Sequence, residues 1–136
     1  MYRHEWKMRV SYADTDRMGY MYYGNYPKFY EVARVEALRN VGISYKELED
    51  SGVILPVGDL KVKYIKPAYY DDQLKVVTII DKVPGVKFHF RYEIYNDKEE
   101  LINIGETTLV FVDLKTGKPC RPPHHIEEIF QSVITE

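Results

Sequence analysis

Two carboxylates beside a predicted helix start are the part of this sequence best suited to chemistry. Asp14 and Asp16 flank a threonine, Gly19 follows three residues after the second carboxylate, and an aromatic run from Tyr20 leads into the helix. The first N–H groups of a helix have no acceptor within it and lie at its positive end. An acidic side chain beside such groups can form a site that polarises a carbonyl group.

A predicted strand and a predicted long helix flank this acid loop (residues 12–22). Residues Trp6 to Tyr12 alternate loosely between apolar and polar types, which predicts a first strand. A helix is predicted from about Tyr23 to Val41, with Gly42 ending it. Its apolar residues do not form one stripe, which indicates burial on most sides. A second, short helix is predicted after Ser44, which forms a capping box with Glu47.

The rest of the sequence is typical of an antiparallel sheet. Four strands are predicted at Val57–Ile65, Leu74–Lys82, Val86–Asn96 and Leu101–Asp113. A short terminal helix is expected over about His125–Val133. One long helix on a curved antiparallel sheet is an α+β architecture, and we expect one domain over residues 1–136. Such a sheet leaves one face and its edges open, which favours oligomerisation.

Composition limits the class of protein. The chain has 136 residues and a formal net charge of -2, so no overall basic field indicates a nucleic-acid partner. Its single cysteine, Cys120, suits a reducing compartment, and we expect a cytoplasmic protein. No apolar run approaches the ~18 residues that would span a bilayer, so no membrane partner is expected.

The acid loop resembles the active-site signature of the hotdog-fold acyl-CoA thioesterases, the 4-hydroxybenzoyl-CoA thioesterase-like family. The resemblance covers about Trp6 to Pro123 and includes Tyr64-Ile65-Lys66-Pro67 followed by Asp71-Asp72-Gln73-Leu74. It implies a hotdog fold, a curved antiparallel sheet wrapped around one long buried helix. It also implies a homodimer or homotetramer with active sites at subunit interfaces, hydrolysis of an acyl-CoA substrate, and no metal or redox cofactor.

The resemblance implies a role for each residue of the loop. Asp16 corresponds to the catalytic carboxylate, acting as nucleophile or as general base on water. The backbone N–H of Tyr23 corresponds to the oxyanion donor. Asp14 is expected to support the loop, and three further residues are expected to contact substrate: Gly19, Tyr22 and Asn25. From the residues alone, both aspartates are equally typical of turns and helix caps.

Cations near the cleft would be needed to bind the phosphates of CoA. The candidates are Lys61, Lys63, Lys66, Lys87 and Arg121. Arg121 is preferred because it matches a basic position near the end of a strand in the family. Lys87 is also predicted to bind substrate, although relatives often have a small hydroxyl residue there. Most of these cations are equally typical of ordinary surface charge.

Several alternatives stay open at this point. An acyl-carrier-protein thioesterase would use the same residues, and a non-catalytic acyl-thioester binding protein would share the fold. A hydratase is disfavoured because no histidine lies near Asp16 in the sequence. Of the helix charges, Glu36 is expected to pair with a helix arginine, and Glu31 with Arg34 in a solvated or interface pair. The four histidines lack the spacing of a zinc site.

Overall fold

The structure is a computed structural model that describes residues 1–134. In these residues the fold consists of seven strands and three α-helices. The strands are β1 (Tyr2–Arg9), β2 (Val53–Ile54), β3 (Val57–Tyr64), β4 (Gln73–Ile80), β5 (Lys87–Tyr95), β6 (Leu101–Val110) and β7 (Val112–Asp113). The helices are α1 (Tyr26–Asn40), α2 (Tyr45–Asp50) and α3 (His124–Val133). Residues 135 and 136 of the predicted domain lie outside the described residues.

Five strands form one antiparallel sheet in the order β1-β4-β5-β6-β3, and β2 pairs with β7 in a separate ribbon. The alternation of apolar and polar residues in β5 turns Phe88, Phe90, Tyr92 and Ile94 toward the core. Helix α1 packs on that face and contacts β1 and β4. The Tyr30 ring of α1 stacks on the Tyr92 ring of β5 at 4.5 Å. The predicted α+β hotdog architecture is therefore confirmed.

Element boundaries differ from the prediction at three places. Strand β1 begins at Tyr2 rather than Trp6, because its inward and outward residues alternate over its whole length beside β4. A 3-10 turn, Tyr23–Asn25, precedes α1, so the α-helix itself begins at Tyr26. The last predicted strand is interrupted at Phe111, after which β7 pairs with β2.

The helix ends follow the sequence signals. At the end of α1, the Ile43 N–H donates to the Leu38 carbonyl and the Gly42 N–H to the Arg39 carbonyl, a Schellman arrangement. Ser44 caps α2 by accepting from the Glu47 N–H at 3.4 Å. Both predicted helix boundaries are thus confirmed. No helix in residues 1–134 combines the length and apolarity needed to cross a bilayer.

The charges of α1 give one confirmation and one correction. Glu36 pairs with Arg39 at 2.6 Å, as predicted. The prediction of a solvated or interface pair between Glu31 and Arg34 is wrong, because Arg34 is buried, with 5% of its surface exposed. It lies under the short helix α2, where its Nε donates to the Tyr45 hydroxyl at 2.8 Å.

Candidate active site

The acid loop is held by backbone pairing at both of its ends. The Asp16 N–H donates to the Tyr20 carbonyl at 2.8 Å, and the Gly19 N–H donates back to the Asp16 carbonyl at 3.1 Å. The Met21 N–H donates to the Ala68 carbonyl at 2.7 Å, which ties the loop to the segment after β3. Residues 16–20 therefore form a closed turn whose position is set by neighbouring backbone.

The Asp16 carboxylate is oriented through one of its two oxygens. Its Oδ1 accepts from the Met18 N–H at 2.9 Å and from the Tyr20 N–H at 3.3 Å. No donor in residues 1–134 reaches Oδ2. Asp16 is half-buried. One oxygen is thus fixed by the loop, and the other is left to react or to accept a proton.

Asp14 has a structural role in the same loop. Its Oδ2 accepts from the N–H and the hydroxyl of Ser11, at 3.0 and 2.9 Å. Its carbonyl accepts from the Tyr22 N–H at 2.7 Å and from Asn25 Nδ2 at 2.9 Å. The expectation that Asp14 supports the loop is confirmed. Asn25, predicted to contact substrate, uses its amide nitrogen to hold the loop against the start of α1.

The turn before α1 presents unpaired backbone donors. The Asn25 N–H donates to the Tyr22 carbonyl at 3.0 Å and closes the 3-10 turn. Within the described chain, the N–H of Tyr23 has no acceptor. It lies at the positive end of α1, where an oxygen that gains negative charge would be stabilised. The donor that the sequence predicted is therefore available.

Asp16 and Tyr23 line the same cavity. Its volume is about 250 Å³, and its walls come from the acid loop, the turn before α1 and the end of β3. The lining residues are Asp16, Met18, Tyr20, Met21, Tyr23, Tyr26, Tyr64, Ile65, Lys66 and Pro67. We refer to this space as the acid-loop cavity. Two of its lining residues, Asp16 and Tyr23, have respectively a free carboxylate oxygen and a free N–H donor.

Two tyrosines of the cavity wall, Tyr26 and Tyr64, have a raised pKa. Burial, with a smaller contribution from the Tyr64 phenol, raises the pKa of Tyr26 to about 12. Partial burial and the neighbouring phenols of Tyr23 and Tyr22 also raise the pKa of Tyr64. At neutral pH these hydroxyls are therefore hydrogen-bond donors, which leaves Asp16 as the carboxylate among the lining residues that could act as a base.

Comparison with known proteins agrees with this geometry. The family model described as the Thioesterase-like superfamily matches residues 10–130. The chain belongs to this superfamily. Acyl-CoA thioester hydrolase YbgC of Escherichia coli O157:H7 is 36% identical over 126 residues, which are 93% of this chain and 94% of YbgC. Acyl-CoA thioesterase YbgC of Haemophilus influenzae is 30% identical over 124 residues, 90% of either chain.

Solved structures of thioesterases share the fold. DHNA-CoA thioesterase from Staphylococcus aureus superposes with a TM-score of 0.92 at 36% identity, covering 98% of this chain and 91% of that one. Slr0204, a 1,4-dihydroxy-2-naphthoyl-CoA thioesterase from Synechocystis, superposes with a TM-score of 0.86 over 97% of this chain and 95% of its own. Slr0204 is only 23% identical, so its likeness concerns the fold alone. The resemblance to hotdog thioesterases is confirmed, and the chain is a thioester hydrolase.

Other predicted contacts of this thioesterase lie outside the cavity wall. Gly19 is exposed at the tip of the acid-loop turn, and its N–H belongs to that turn. The Tyr22 side chain is exposed, and its ring lies against the Tyr23 ring, with the ring centres 4.8 Å apart. The substrate contacts predicted for both remain predictions.

The predicted phosphate-binding cations are divided between the two ends of the sheet. Lys66 lines the cavity and pairs with Glu100. Lys87 pairs with Val110 on β6, whereas Tyr64 at the cavity pairs with Asn103. Because seven residues of β6 separate these two positions, Lys87 lies roughly 23 Å along the strand from the cavity. Within one chain, it cannot reach a thioester beside Asp16.

Arg121 also lies at the far end of the sheet. It follows Cys120, whose N–H donates to the Phe111 carbonyl at 2.8 Å, just beyond the end of β6. Its guanidinium is 3.3 Å from Glu127 of α3 and is mostly exposed. Its role, like that of Lys87, remains a prediction. In residues 1–134, no group of three or more His, Cys, Asp and Glu side chains could hold a metal ion.

Most wall residues of the cavity were not anticipated as parts of the site, and two of them are aromatic residues from separate elements. Tyr26 and Tyr64 come from α1 and from the last position of β3, and their ring centres are 5.3 Å apart. The signal that could have placed Tyr64 there is strand alternation, since Leu60, Val62 and Tyr64 occupy one face of β3. That face turns toward α1 and hence toward the start of the helix.

Proposed function

We propose that this thioesterase hydrolyses acyl-CoA in the acid-loop cavity, with Asp16 as nucleophile or general base and the Tyr23 N–H as oxyanion donor. The observation that carries the proposal is that two residues lining one cavity each have an unused polar group. Asp16 Oδ2 and the Tyr23 N–H both lack a partner in the described chain, whereas the other oxygen of the same carboxylate accepts two hydrogen bonds. Thioester hydrolysis requires such a pair.

The reaction follows from these two groups. The thioester carbonyl oxygen accepts a hydrogen bond from the Tyr23 N–H, which makes the carbonyl carbon more electrophilic. Asp16 Oδ2 then attacks that carbon, or removes a proton from a water molecule that attacks it. The C–S bond breaks, and the CoA sulfur leaves as a thiolate that takes up a proton. In the nucleophilic route, water then hydrolyses the anhydride formed between the acyl group and Asp16, which regenerates the carboxylate; in the general-base route, the attacking water has already supplied the new oxygen. Either route consumes one water molecule and yields the free acid and CoA.

We propose further that the active unit is a homodimer formed along β3, which two such dimers could extend to a tetramer. Strand β3 is an outer strand of the sheet, and apolar side chains are exposed on it and just after it: Val57, Leu60, Tyr64 and Ile65. An outer strand with unpaired backbone groups pairs readily with a copy of itself about a two-fold axis. Light scattering would test this by giving twice the monomer mass or a multiple of it.

This dimer would give Lys87 and Arg121 a function. In an antiparallel pairing of two β3 strands, the Val57 end of one copy meets the Tyr64 end of the other. Lys87 and Arg121 lie at the Val57 end, so each copy would offer them to the second copy's cavity. We propose that they bind the phosphates of CoA across this interface. The cytoplasm is the proposed location, since Cys120 is the chain's single cysteine and is free.

Thiol release from a panel of acyl-CoA thioesters tests the function. Short-chain, medium-chain, long-chain and aromatic substrates would be compared, with Asp16→Asn measured beside the native protein. We expect release from at least one class, and loss of that release in the variant. Release from acyl-carrier-protein thioesters alone would favour that substrate class instead. Absence of release from both kinds of thioester would contradict the proposal and favour a binding role.

A further inference from the structure

We propose that Tyr64 is a positioning residue that fixes the oxyanion donor through its hydroxyl, an inference that rests on the proposed function. The Tyr64 hydroxyl donates to the Tyr23 carbonyl at 3.0 Å. Tyr23 belongs to the turn before α1, and Tyr64 is the last residue of β3. The bond therefore links the turn that carries the catalytic N–H to the outer strand of the sheet, 41 residues away in sequence.

Few other contacts hold this turn in place. The Asn25 N–H closes it on the Tyr22 carbonyl, and the Tyr22 N–H and the Asn25 side chain both donate to the Asp14 carbonyl. These three contacts act on the ends of the turn. The Tyr64 hydroxyl is the contact made by the central Tyr23 carbonyl. The bond anchors Tyr23 from its carbonyl side; because the Tyr23 carbonyl and N–H are joined through one Cα, loss of the bond would let Tyr23 shift and would displace its N–H.

Ring packing aims the Tyr64 hydroxyl at that carbonyl. The Tyr64 ring meets the Tyr23 ring edge-to-face, with centres 6.2 Å apart at 89°. It meets the Tyr26 ring in the same manner at 5.3 Å and 78°. Tyr26 is 3% exposed and belongs to the core, so it is a rigid support. Edge-to-face pairs of this kind have a preferred geometry, which limits the rotation of the phenol.

The chemistry of Tyr64 suits this role. Its raised pKa, caused first by partial burial, keeps the hydroxyl protonated and able to donate. A hydrogen bond accepted by a peptide carbonyl polarises that peptide and strengthens its own N–H as a donor. Here that peptide joins Tyr23 to Gly24, and the same bond holds Tyr23, whose own N–H is the proposed oxyanion donor. It acts on the reaction through the turn, and its ring forms part of the cavity wall.

Tyr64→Phe separates the hydroxyl from the ring. The variant keeps the ring contacts with Tyr23 and Tyr26 and removes only the hydrogen bond. We expect kcat on the best acyl-CoA to fall about 3- to 10-fold, with KM changed less than about two-fold. Tyr70→Phe is the matched control, because Tyr70 is 58% exposed, its ring packs on Tyr12, and its hydroxyl has no partner in residues 1–134. The control should retain native kcat.

Hydrogen exchange supplies a readout that needs no substrate. Exchange of the Asn25 amide, whose N–H closes the same turn on the Tyr22 carbonyl, should be faster by NMR in Tyr64→Phe than in the native protein and unchanged in Tyr70→Phe. Native kcat or unchanged exchange in Tyr64→Phe would overturn the positioning role, as would a rise in KM at unchanged kcat. If the native protein released no thiol from any thioester, the proposed function would fail, and the exchange rates would still decide whether Tyr64 fixes the turn.

Discussion

Tyrosine hydroxyls serve two regions of this molecule in opposite ways. In the acid-loop cavity, Tyr64 donates to a backbone carbonyl, and the nearby Tyr23 N–H and Asp16 Oδ2 are left without partners. In the region we call the Arg34 network, the hydroxyls of Tyr45 and Tyr92 accept from the Arg34 guanidinium at 2.8 and 3.0 Å. In the acid-loop cavity, polar groups of the lining residues are left without partners. In the Arg34 network, the polar groups are hydrogen-bonded to one another.

The Arg34 network resembles a structural core site. Tyr92 also bonds to Thr107 at 2.7 Å, and the guanidinium lies 5.8 Å from the centre of the Phe90 ring. Among the described residues, no carboxylate forms an ion pair with Arg34. A buried charge of this kind is tolerated because hydroxyl and aromatic groups surround it. The contrast leads us to propose that the buried cation contributes to stability and the half-buried carboxylate to catalysis.

The largest effect on stability should come from Arg34→Met. The variant removes the donor that satisfies the Tyr45 hydroxyl, so we expect the free energy of unfolding to fall by about 1–3 kcal/mol. The kcat of the folded protein should stay within about three-fold of native, because Arg34 does not line the acid-loop cavity. Urea denaturation and thiol release measure the two quantities.

Arg39→Met is the control for that experiment on the same helix. Arg39 forms an exposed pair with Glu36, so its replacement should cost at most about 1 kcal/mol. If Arg34→Met retained native stability and lost activity, the division of roles between the two regions would be wrong.

A smaller effect is expected for Gly19→Ala, which should lower both the free energy of unfolding and kcat. Gly19 has a φ of +85°, which an alanine adopts at a cost of about 1 kcal/mol. Because its N–H closes the turn on the Asp16 carbonyl, the strain should also displace the Asp16 carboxylate and lower kcat several-fold. Chemical denaturation and thiol release would report both changes.

Gly117→Ala provides the comparison for Gly19→Ala. Gly117 also has a positive φ, +69°, with no atom within 4 Å of an added Cβ, but it lies in the turn after β7. We expect the same loss of stability and native kcat. Equal kcat in the two variants would show that the turn at Gly19 does not orient Asp16.

The smallest effect is expected at the other end of the sheet. Arg121→Ala should raise KM for acyl-CoA about 2- to 10-fold and leave kcat unchanged, since the side chain would bind CoA phosphate away from the thioester. The difference in KM between Arg121→Ala and the native protein should be smaller at high salt, because salt screens the attraction between the guanidinium and the phosphate. Arg39→Ala, which removes an exposed arginine elsewhere, should leave KM unchanged. An unaltered KM in Arg121→Ala would remove Arg121 from the proposed site.

The sequence was sufficient for the parts of this account that depend on local order. The position of Asp16 before Gly19, the cap at Ser44 and the alternation of β5 are all local patterns, and each predicted its structure. The family resemblance supplied the fold and the role of Asp16. Strand β1 was predicted too short because one of its inward positions holds a polar residue, His4, which interrupts the apolar alternation between Tyr2 and Trp6.

The rest depends on register between distant segments. Arg34 reads as a surface residue, since its partners Tyr45 and Tyr92 lie 11 and 58 residues away. The bond from Tyr64 to Tyr23 likewise spans 41 residues. The separation of Lys87 from the cavity became evident only from the pairing of β5 with β6. No local pattern encodes these distances.

The central claim is that Asp16 takes part in the bond-breaking step, and single-turnover kinetics of Asp16→Asn test it most directly. Excess enzyme would be mixed with the best acyl-CoA, and thiol release would be followed in one cycle, with CoA affinity and thermal midpoint measured in parallel. We predict a rate constant lower by roughly 10²–10⁴-fold, with affinity and midpoint close to native. A native single-turnover rate in Asp16→Asn would contradict the account.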